Sequence, residues 1–272
     1  MSWMDTFQGK HVVVTGASSG IGRATAVAFA AAGARVALIA RRRTLLDEVA
    51  GEIARTGGES LVVPANVTSR AQVAAAFMEI DRAFGRIDVV VNNAGVLVPG
   101  AVTALPAEDL DAMLRVNLFG ALFVMQEAVP RMQRQGGGSI VNVASLAGRR
   151  GVAPLGGYCA TKFALVGLTE ALRTELVGDA VHVALVLPGV IDTPMAAEAT
   201  HDPGFTELWP TSLNMPPSWV VWAIFAAARF RLVEVSVPPG AATLEKIAAL
   251  APGAADRIVQ WAKTVSHWMA AP

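Results

Sequence analysis

Short runs of apolar, often β-branched residues alternate with longer stretches of helical periodicity along most of the chain. Six runs predict strands at 11–16, 35–40, 60–65, 87–95, 139–145 and 181–189, and 232–238 is the candidate for a seventh. Helices are predicted at 21–33, from after residue 40 to 56, and at 69–84, 107–135 and 157–177. Strands that are apolar on both faces need helices on both sides of a parallel sheet. The pattern therefore predicts a doubly wound α/β fold.

The alternation shows no linker and no internal repeat, so residues 1–272 are expected to form one domain. The segment 192–217 interrupts it, because it is irregular and rich in Pro and Met. Insertions of this kind often cover active sites, so we expect a substrate lid there. The segment 216–272 is expected to be a more variable C-terminal part.

Composition narrows the class of protein. Hydrophobic residues make up 53% of the chain and charged residues 16%, with 22 acids and 22 bases, so a large core is available. No basic run predicts a nucleic-acid partner. Cys159 is the single cysteine, which excludes an intramolecular disulfide and fits a reducing, cytoplasmic compartment.

No membrane-spanning segment is expected. The start of the chain lacks the order of a signal peptide. The longest apolar run near the C-terminus, 219–228, is about half as long as a spanning helix. Peripheral contact with a membrane remains the alternative.

The stretch TGASSGIG, residues 15–22, places Gly16, Gly20 and Gly22 at the first strand-to-helix turn. Glycines let the backbone turn tightly and let a ligand approach the helix N-terminus, where free N–H groups favour a pyrophosphate. In a doubly wound sheet this position predicts a dinucleotide site. A tight turn without a ligand is the alternative.

The end of the second predicted strand indicates which dinucleotide is bound. NAD-binding folds place an acid about 20 residues after the glycines, to bind the ribose hydroxyls. Here Ala40 and then Arg41 occupy that place. A cation suits a 2′-phosphate, so NADP(H) is favoured over NAD(H), although Arg41–Arg43 could also be a solvated helix start.

The stretch GGYCATKFA contains Tyr158, the only tyrosine of the chain, and Lys162 four residues later. On a helix these two share a face. A nearby ammonium is expected to lower the pKa of the phenol and make it a general acid/base. Ser145 ends the fifth predicted strand, where its hydroxyl can hold a substrate oxygen. Asn117 lies inside an apolar helix and is a candidate for a polar relay to the lysine.

Taken together and in order, TGASSGIG, NNAG at 92–95, Asn117, Ser145, YCATK at 158–162 and PGVIDTP at 188–194 resemble the short-chain dehydrogenase/reductase family. The likeness spans residues 9 to about 195 and includes the TGxxxGxG and YxxxK motifs. It implies a Rossmann fold and hydride transfer between nicotinamide and an alcohol or carbonyl. It implies that Tyr158 is the acid/base, that Lys162 lowers its pKa and binds the nicotinamide ribose, that Ser145 polarises the substrate oxygen and that Asn117 supports a water chain.

The resemblance also implies the cofactor contacts. Besides Arg41, Tyr158 and Lys162, the expected cofactor-binding residues are Gly16, Ser18, Ser19, Gly20, Ile21, Asn66, Val67, Asn93, Ala94, Gly95, Pro188, Gly189 and Thr193. Two positions depart from the family. Asn66 replaces an aspartate that contacts adenine, and its amide oxygen can still accept the adenine amino proton. Cys159 stands where small or polar residues are common, and it is either packed or sensitive to oxidation.

The substrate is expected to be a lipophilic ketone, alcohol or aldehyde, because the residues that should face it are apolar. The predicted pocket residues are Ser145, Leu146, Leu155, Met195 and Trp209, with Phe205, Leu208 and Met215 nearby. His201 and Asp202 either add polarity or face solvent. No metal is expected, since the four histidines and the cysteine show no ligand spacing.

Trp219, Trp222, Trp261 and Trp268 stand among the alanines and leucines of the C-terminal segment. They predict core packing and a subunit interface, or alternatively a lipid-facing patch or a pocket wall. By resemblance, a homodimer or homotetramer would form through helices 107–135 and 157–177.

Three functions remain open from the sequence. The first is an NADP(H)-dependent oxidoreductase, which the full set of Asn, Ser, Tyr and Lys favours. The second is a dehydratase or epimerase of the same fold, and the third is a cofactor-binding protein without turnover.

Overall fold

The computed structural model describes residues 7–199, 214–254 and 257. Its strands are β1 (His11–Thr15), β2 (Arg35–Ala40), β3 (Glu59–Pro64), β4 (Val89–Asn92), β5 (Gly138–Val143), β6 (Val181–Pro188) and β7 (Glu234–Val237). Its helices are α1 (Gly20–Ala31), α2 (Arg43–Arg55), α3 (Arg70–Phe84), α4 (Ala107–Leu114), α5 (Ala121–Arg134), α6 (Gly156–Glu175), α7 (Pro194–Ala199), α8 (Pro217–Phe230) and α9 (Ala241–Ala248).

The strands form one seven-stranded sheet in the order β3-β2-β1-β4-β5-β6-β7. Every pairing is parallel. The predicted doubly wound fold, with its seventh strand, is thereby confirmed. The strand order reverses between β1 and β4, and in open α/β sheets ligands bind in the crevice at the carboxyl ends of the strands beside such a reversal.

Successive residues of the strands pack into different cores. Val12 and Val14 of β1 belong to a core with α1, α2 and α8, in which Phe29 and Phe225 have ring centres 4.2 Å apart. Val13 points to a second core with α3 and α5, which includes Phe77. This two-sided burial is the physical reason why the strands lack polar alternation.

Between α4 and α5 the helix widens into a π-helical segment, Arg115–Gly120, which the apolar periodicity did not predict. The whole stretch Ala107–Arg134 is long and apolar enough to cross a membrane by length and composition. Core helices of globular proteins meet the same criterion, and here several side chains of α5, among them Met125 and Met132, are buried in the second core.

Part of the predicted lid and of the C-terminal segment lies outside the described residues. The predictions concerned are His201, Asp202, Phe205, Leu208, Trp209, Trp261 and Trp268. Within the described part of the lid, α7 follows Thr193, and Met215 pairs with Ile191 in an isolated bridge. The division into one domain with a lid stays a prediction.

Candidate active site

The turn after β1 has little room for side chains. Gly16 and Gly20 have φ angles of +67° and +51°, in the left-handed region that favours glycine. A Cβ atom on Gly22 would lie 2.1 Å from the Gly16 carbonyl oxygen. Ser19 begins α1 without a side-chain capping bond, so the N–H groups at this helix end are available to an anion.

The loop after β4 is fastened to this turn by Thr15. The Thr15 hydroxyl oxygen accepts hydrogen bonds from the backbone N–H groups of Asn93 and Ala94, each at 3.0 Å. The Asn93 side-chain amide donates to the Thr15 carbonyl at 3.1 Å. Asn93 therefore holds the two sides of the strand-order reversal together.

A cleft of about 200 Å³ runs along this edge of the sheet. Twelve of the predicted cofactor residues line it, namely Gly16, Ser18, Ser19, Gly20, Ile21, Arg41, Asn66, Val67, Asn93, Ala94, Gly95 and Thr193. The sequence prediction missed Ala40, Arg42, Ala65, Val96, Val116 and Pro194, which also line the cleft. Of these residues, only Arg42 could have been found from the sequence, because it is a second arginine directly after Arg41. The glycine cradle and the cationic end of the cleft fit a phosphorylated dinucleotide.

Arg41 and Arg42 lie at the carboxyl end of β2 with exposed side chains. Within the described part of the chain, neither side chain forms a hydrogen bond or an ion pair, whereas Arg43 pairs with Asp47 at 3.6 Å. Two guanidinium groups at the cleft are thus available for an anionic ligand.

Asn66 differs from the expectation in one respect. Its side-chain oxygen already accepts a hydrogen bond from the Thr68 N–H at 3.1 Å, and its own N–H donates to Gln72. A carbonyl oxygen has two lone pairs, so one remains for the adenine amino group.

Ser145, Tyr158 and Lys162 meet where β5 and the N-terminal half of α6 come together. All three are buried, with relative exposures of 9%, 8% and 4%. The Lys162 ammonium donates to the Val143 carbonyl at 3.1 Å and lies 5.6 Å from the centre of the Tyr158 ring. The Ser145 hydroxyl accepts from the Ala147 N–H at 3.1 Å and donates to the Pro188 carbonyl at 3.3 Å.

Burial decides the protonation of this group. Loss of solvation raises the pKa of Tyr158 to about 12, although a hydrogen bond with Ser145 acts in the opposite direction. Loss of solvation also lowers the pKa of Lys162 to about 8. Burial thus disfavours the charged form of both groups. That Lys162 lowers the pKa of the phenol stays a prediction.

Asn117 lies in the π-helical segment, nearly without exposure at 1%. Its side-chain oxygen accepts from the Val96 N–H at 2.8 Å, and its NH₂ group donates to the Val96 carbonyl and the Thr161 hydroxyl at 2.9 Å each. Thr161 in turn donates to the Tyr158 carbonyl at 2.8 Å. The amide thus fixes the first turns of α6, and a relay from Asn117 to Lys162 stays a prediction.

A second cavity, of about 180 Å³, adjoins the cleft and shares Ile21, Asn93, Gly95, Thr193 and Met195 with it. The predicted residues Ser145, Leu146, Leu155, Tyr158, Lys162, Pro188 and Gly189 line this second cavity. Sequence reasoning missed further wall residues, namely Leu97, Val143, Ala144, Ala147, Arg150, Val152, Val190, Ile191, Ala196, Ala199 and Glu245. Most are apolar, so the cavity suits a lipophilic ligand.

Cys159 is buried beside the tyrosine and packs in a cluster with Met113, Leu155 and Tyr158. The Val152 N–H donates to its sulfur at 3.4 Å, and burial raises the pKa of the thiol. The packed alternative of the sequence analysis matches this environment. Within residues 7–199, 214–254 and 257, no three His, Cys, Asp or Glu side chains come together as a metal site would require.

The sequence pattern and the fold both have close counterparts. The family model described as short chain dehydrogenase matches residues 10–204. The ketoacyl reductase HetN of Nostoc sp. is 32% identical over 264 residues, covering 95% of this chain and 91% of that protein. The 3-oxoacyl-[acyl-carrier-protein] reductase FabG of Thermotoga maritima is 39% identical over 188 residues, covering 69% of this chain and 76% of its own.

Among solved structures, a short chain dehydrogenase/reductase from Burkholderia phymatum in complex with NAD superposes with a TM-score of 0.81. The two sequences are 28% identical, and the match covers 88% of this chain and 92% of the other. The likeness therefore extends from the motifs to the whole sheet.

Proposed function

The chain belongs to the short-chain dehydrogenase family of NAD(P)-dependent oxidoreductases, and we propose that it is an NADP(H)-dependent reductase of lipophilic carbonyl compounds. The reverse reaction, oxidation of the corresponding secondary alcohol, uses the same groups. The observation that carries the proposal is that Ser145, Tyr158 and Lys162 line a mainly apolar cavity continuous with the cleft of the glycine turn.

Tyr158 supplies the proton in this proposal. With a pKa of about 12, its phenol keeps the proton at neutral pH and can give it to a developing alkoxide. Ser145 holds the carbonyl oxygen next to the phenol, which supports proton transfer over a short distance. A nicotinamide cofactor bound in the cleft supplies the hydride.

Lys162 is assigned the ribose side of the site. Its ammonium is directed by the Val143 carbonyl, and Gly95 leaves open the space between Asn117 and Lys162. A cation at this place stabilises negative charge on the phenolate that remains after proton transfer. Asn117 acts as a positioning residue through Thr161.

The choice of NADP(H) rests on Arg41 and Arg42. Two guanidinium groups that form no bonds within the described chain, and the lack of an acid after β2, favour a 2′-phosphate over a free ribose hydroxyl pair. NAD(H) remains the alternative cofactor.

The substrate class rests on the cavity wall and on the relatives. The wall is formed mainly by Leu, Val, Ala, Ile and Met side chains. Two of the curated relatives are named as reductases of ketoacyl or 3-oxoacyl compounds, whose acyl chains are apolar. Both observations support an apolar carbonyl substrate rather than a sugar or a charged acid.

We also propose the homo-oligomer that the sequence analysis expected, formed through α4–α5 and α6. Phe119 and Phe163 expose 44% and 45% of their surface around these helices, which supports an interface there. Localisation in the cytoplasm stays a prediction.

The test is a spectrophotometric assay of the purified chain with NADPH and NADH against a panel of apolar ketones and aldehydes. We expect loss of the nicotinamide absorbance with NADPH and at least one ketone, and no loss in the Tyr158→Phe variant. Cofactor binding without turnover of any carbonyl or alcohol would instead favour a binding protein. Turnover that needs no net change of cofactor would favour a dehydratase or epimerase.

A further inference from the structure

The wall of the substrate cavity contains a carboxylate, Glu245 of α9, for which neither the cofactor nor the proton transfer has a use. Its Oε2 atom is buried and forms no hydrogen bond within the described part of the chain. A buried carboxylate oxygen without a donor is costly, so such an atom marks a place where a ligand can supply one.

The packing of α9 positions Glu245, whose side chain forms no hydrogen bond or ion pair with the residues that the structure describes. Ala242 lies three residues earlier on the same face of α9, is 3% exposed and packs in a cluster with Leu146, which lines the cavity. The face of α9 that carries Glu245 therefore lies over the loop that follows Ser145.

Ion pairs fasten α9 in this position. The Lys246 ammonium of α9 lies 2.7 Å from Glu234 of β7, and the same Glu234 carboxylate pairs with Arg149 in the loop after β5. Arg149 also pairs with Glu170 of α6 at 2.6 Å. Since Glu234 connects α9 with the loop that leads from Ser145, the Glu245 carboxylate is held at a defined place in the cavity.

We propose that Glu245 is a specificity-determining residue that accepts a hydrogen bond from an uncharged hydroxyl or amide N–H at the end of the substrate remote from its carbonyl. The apolar side chains that line the rest of the cavity then receive the chain or ring that links the two ends. Arg150 lines the same cavity and forms no hydrogen bond to Glu245 Oε2. The mainly apolar wall disfavours a charged donor such as an ammonium group, which would lose its solvation there.

The inference rests on the proposed function in one respect, namely that the substrate carries a carbonyl group that is reduced at Ser145 and Tyr158. The experiment compares three homologous series of methyl alkyl ketones, whose remote ends are a methyl, a hydroxyl or a primary amide. For each ketone kcat/KM is measured with NADPH, and binding to the cofactor-loaded protein is measured by calorimetry, which needs no turnover.

We expect that, at one chain length, the hydroxyl or amide ketone is preferred over the methyl ketone by about tenfold or more. Glu245→Leu removes the preference because the hydroxyl or amide loses its acceptor, whereas Glu245→Gln, which keeps an acceptor oxygen, retains part of it. Leu244→Gln is the matched control, because Leu244 lies on the same helix with 68% exposure, and the preference should be unchanged.

The two proposals fail in different ways. Equal binding and equal kcat/KM for all three series in the wild-type chain would overturn the role of Glu245 while carbonyl reduction stands. A preference that survives in Glu245→Leu would overturn it as well. A binding preference that Glu245→Leu abolishes, without turnover of any ketone, would support Glu245 and refute the reductase.

Discussion

The Lys162 ammonium lies 5.6 Å from the centre of the Tyr158 ring and is directed by the Val143 carbonyl at 3.1 Å. The lysine therefore faces the ring of the tyrosine from inside the protein, and both side chains are almost free of solvent contact. Loss of solvation is the largest influence on the pKa of each group. It favours the protonated phenol and the unprotonated amine, so their pKa values move to about 12 and about 8.

The pH dependence of ketone reduction should follow the protonation state of Lys162. Because its pKa is about 8, the ammonium is fully charged at lower pH and loses its proton as the pH rises through that value. The Tyr158 phenol, with a pKa of about 12, stays protonated over the same range. We expect kcat/KM to be level below pH 8 and to fall by about tenfold per pH unit above it.

The measurement is a kcat/KM profile with saturating NADPH, and the Lys162→Met variant should give a low profile without this fall. A decline that begins only near the ordinary pKa of lysine, about 10.4, would show that the buried ammonium is not the titrating group.

Replacing the phenol should separate chemistry from binding. In Tyr158→Phe the proton donor is lost but the ring and its packing remain, so we expect kcat to fall by about 10²–10⁴-fold with little change in NADPH affinity. Stopped-flow reduction and fluorescence titration measure the two quantities. Phe230→Leu, at an exposed position of α8, is the control and should keep full activity. Substantial turnover in Tyr158→Phe would remove the tyrosine from the mechanism.

The three consecutive arginines after β2 offer an internal comparison. Arg41→Ala and Arg42→Ala should each raise the KM for NADPH by about tenfold and leave the KM for NADH unchanged, because a charge-assisted bond to the 2′-phosphate is lost. Arg43→Ala is the control, since Arg43 pairs with Asp47 and does not line the cleft. Equal losses for both cofactors would mean that the arginines do not select NADPH.

A pair of glycines tests the tight turn. In Gly22→Ala the new Cβ would lie 2.1 Å from the Gly16 carbonyl oxygen. We therefore expect the free energy of unfolding to fall by about 1–3 kcal/mol and the affinity for NADPH to decrease. Gly51→Ala, in α2 with open space around its Cα, should instead stabilise the chain by about 0.5–1 kcal/mol. Denaturant unfolding of both variants checks this, and similar effects from the two substitutions would contradict the close-approach argument.

Much of the site could be located from sequence because its residues stand at the ends of strands. Gly16, Arg41 and Asn93 directly follow β1, β2 and β4, and Ser145 comes two residues after β5. A parallel sheet brings these strand ends to one edge. Arg150 and Glu245 could not be found in this way. Arg150 and Glu245 line the cavity because the loop after β5 and helix α9 lie against it in the folded chain. The local sequence around each residue contains no motif that predicts a pocket.

Asn117 is a second example of a residue whose contacts could not be predicted from the sequence. Its polarity inside an apolar stretch marked it as unusual, but its partners, Val96 and Thr161, were not predictable from periodicity. The π-helical turn that carries it breaks the regular helical spacing and packs against α6, a contact that the local sequence does not reveal.

By itself, the sequence determined the architecture, the strand ends at which the site lies and the pairing of Tyr158 with Lys162. Short apolar β-branched runs, the 3.6-residue helical periodicity and an i, i+4 spacing are local properties of the chain. Only the tertiary structure decided the protonation of that pair and the contents of the substrate cavity. Both depend on how much solvent the surrounding elements exclude, and burial is a sum over residues from the whole chain.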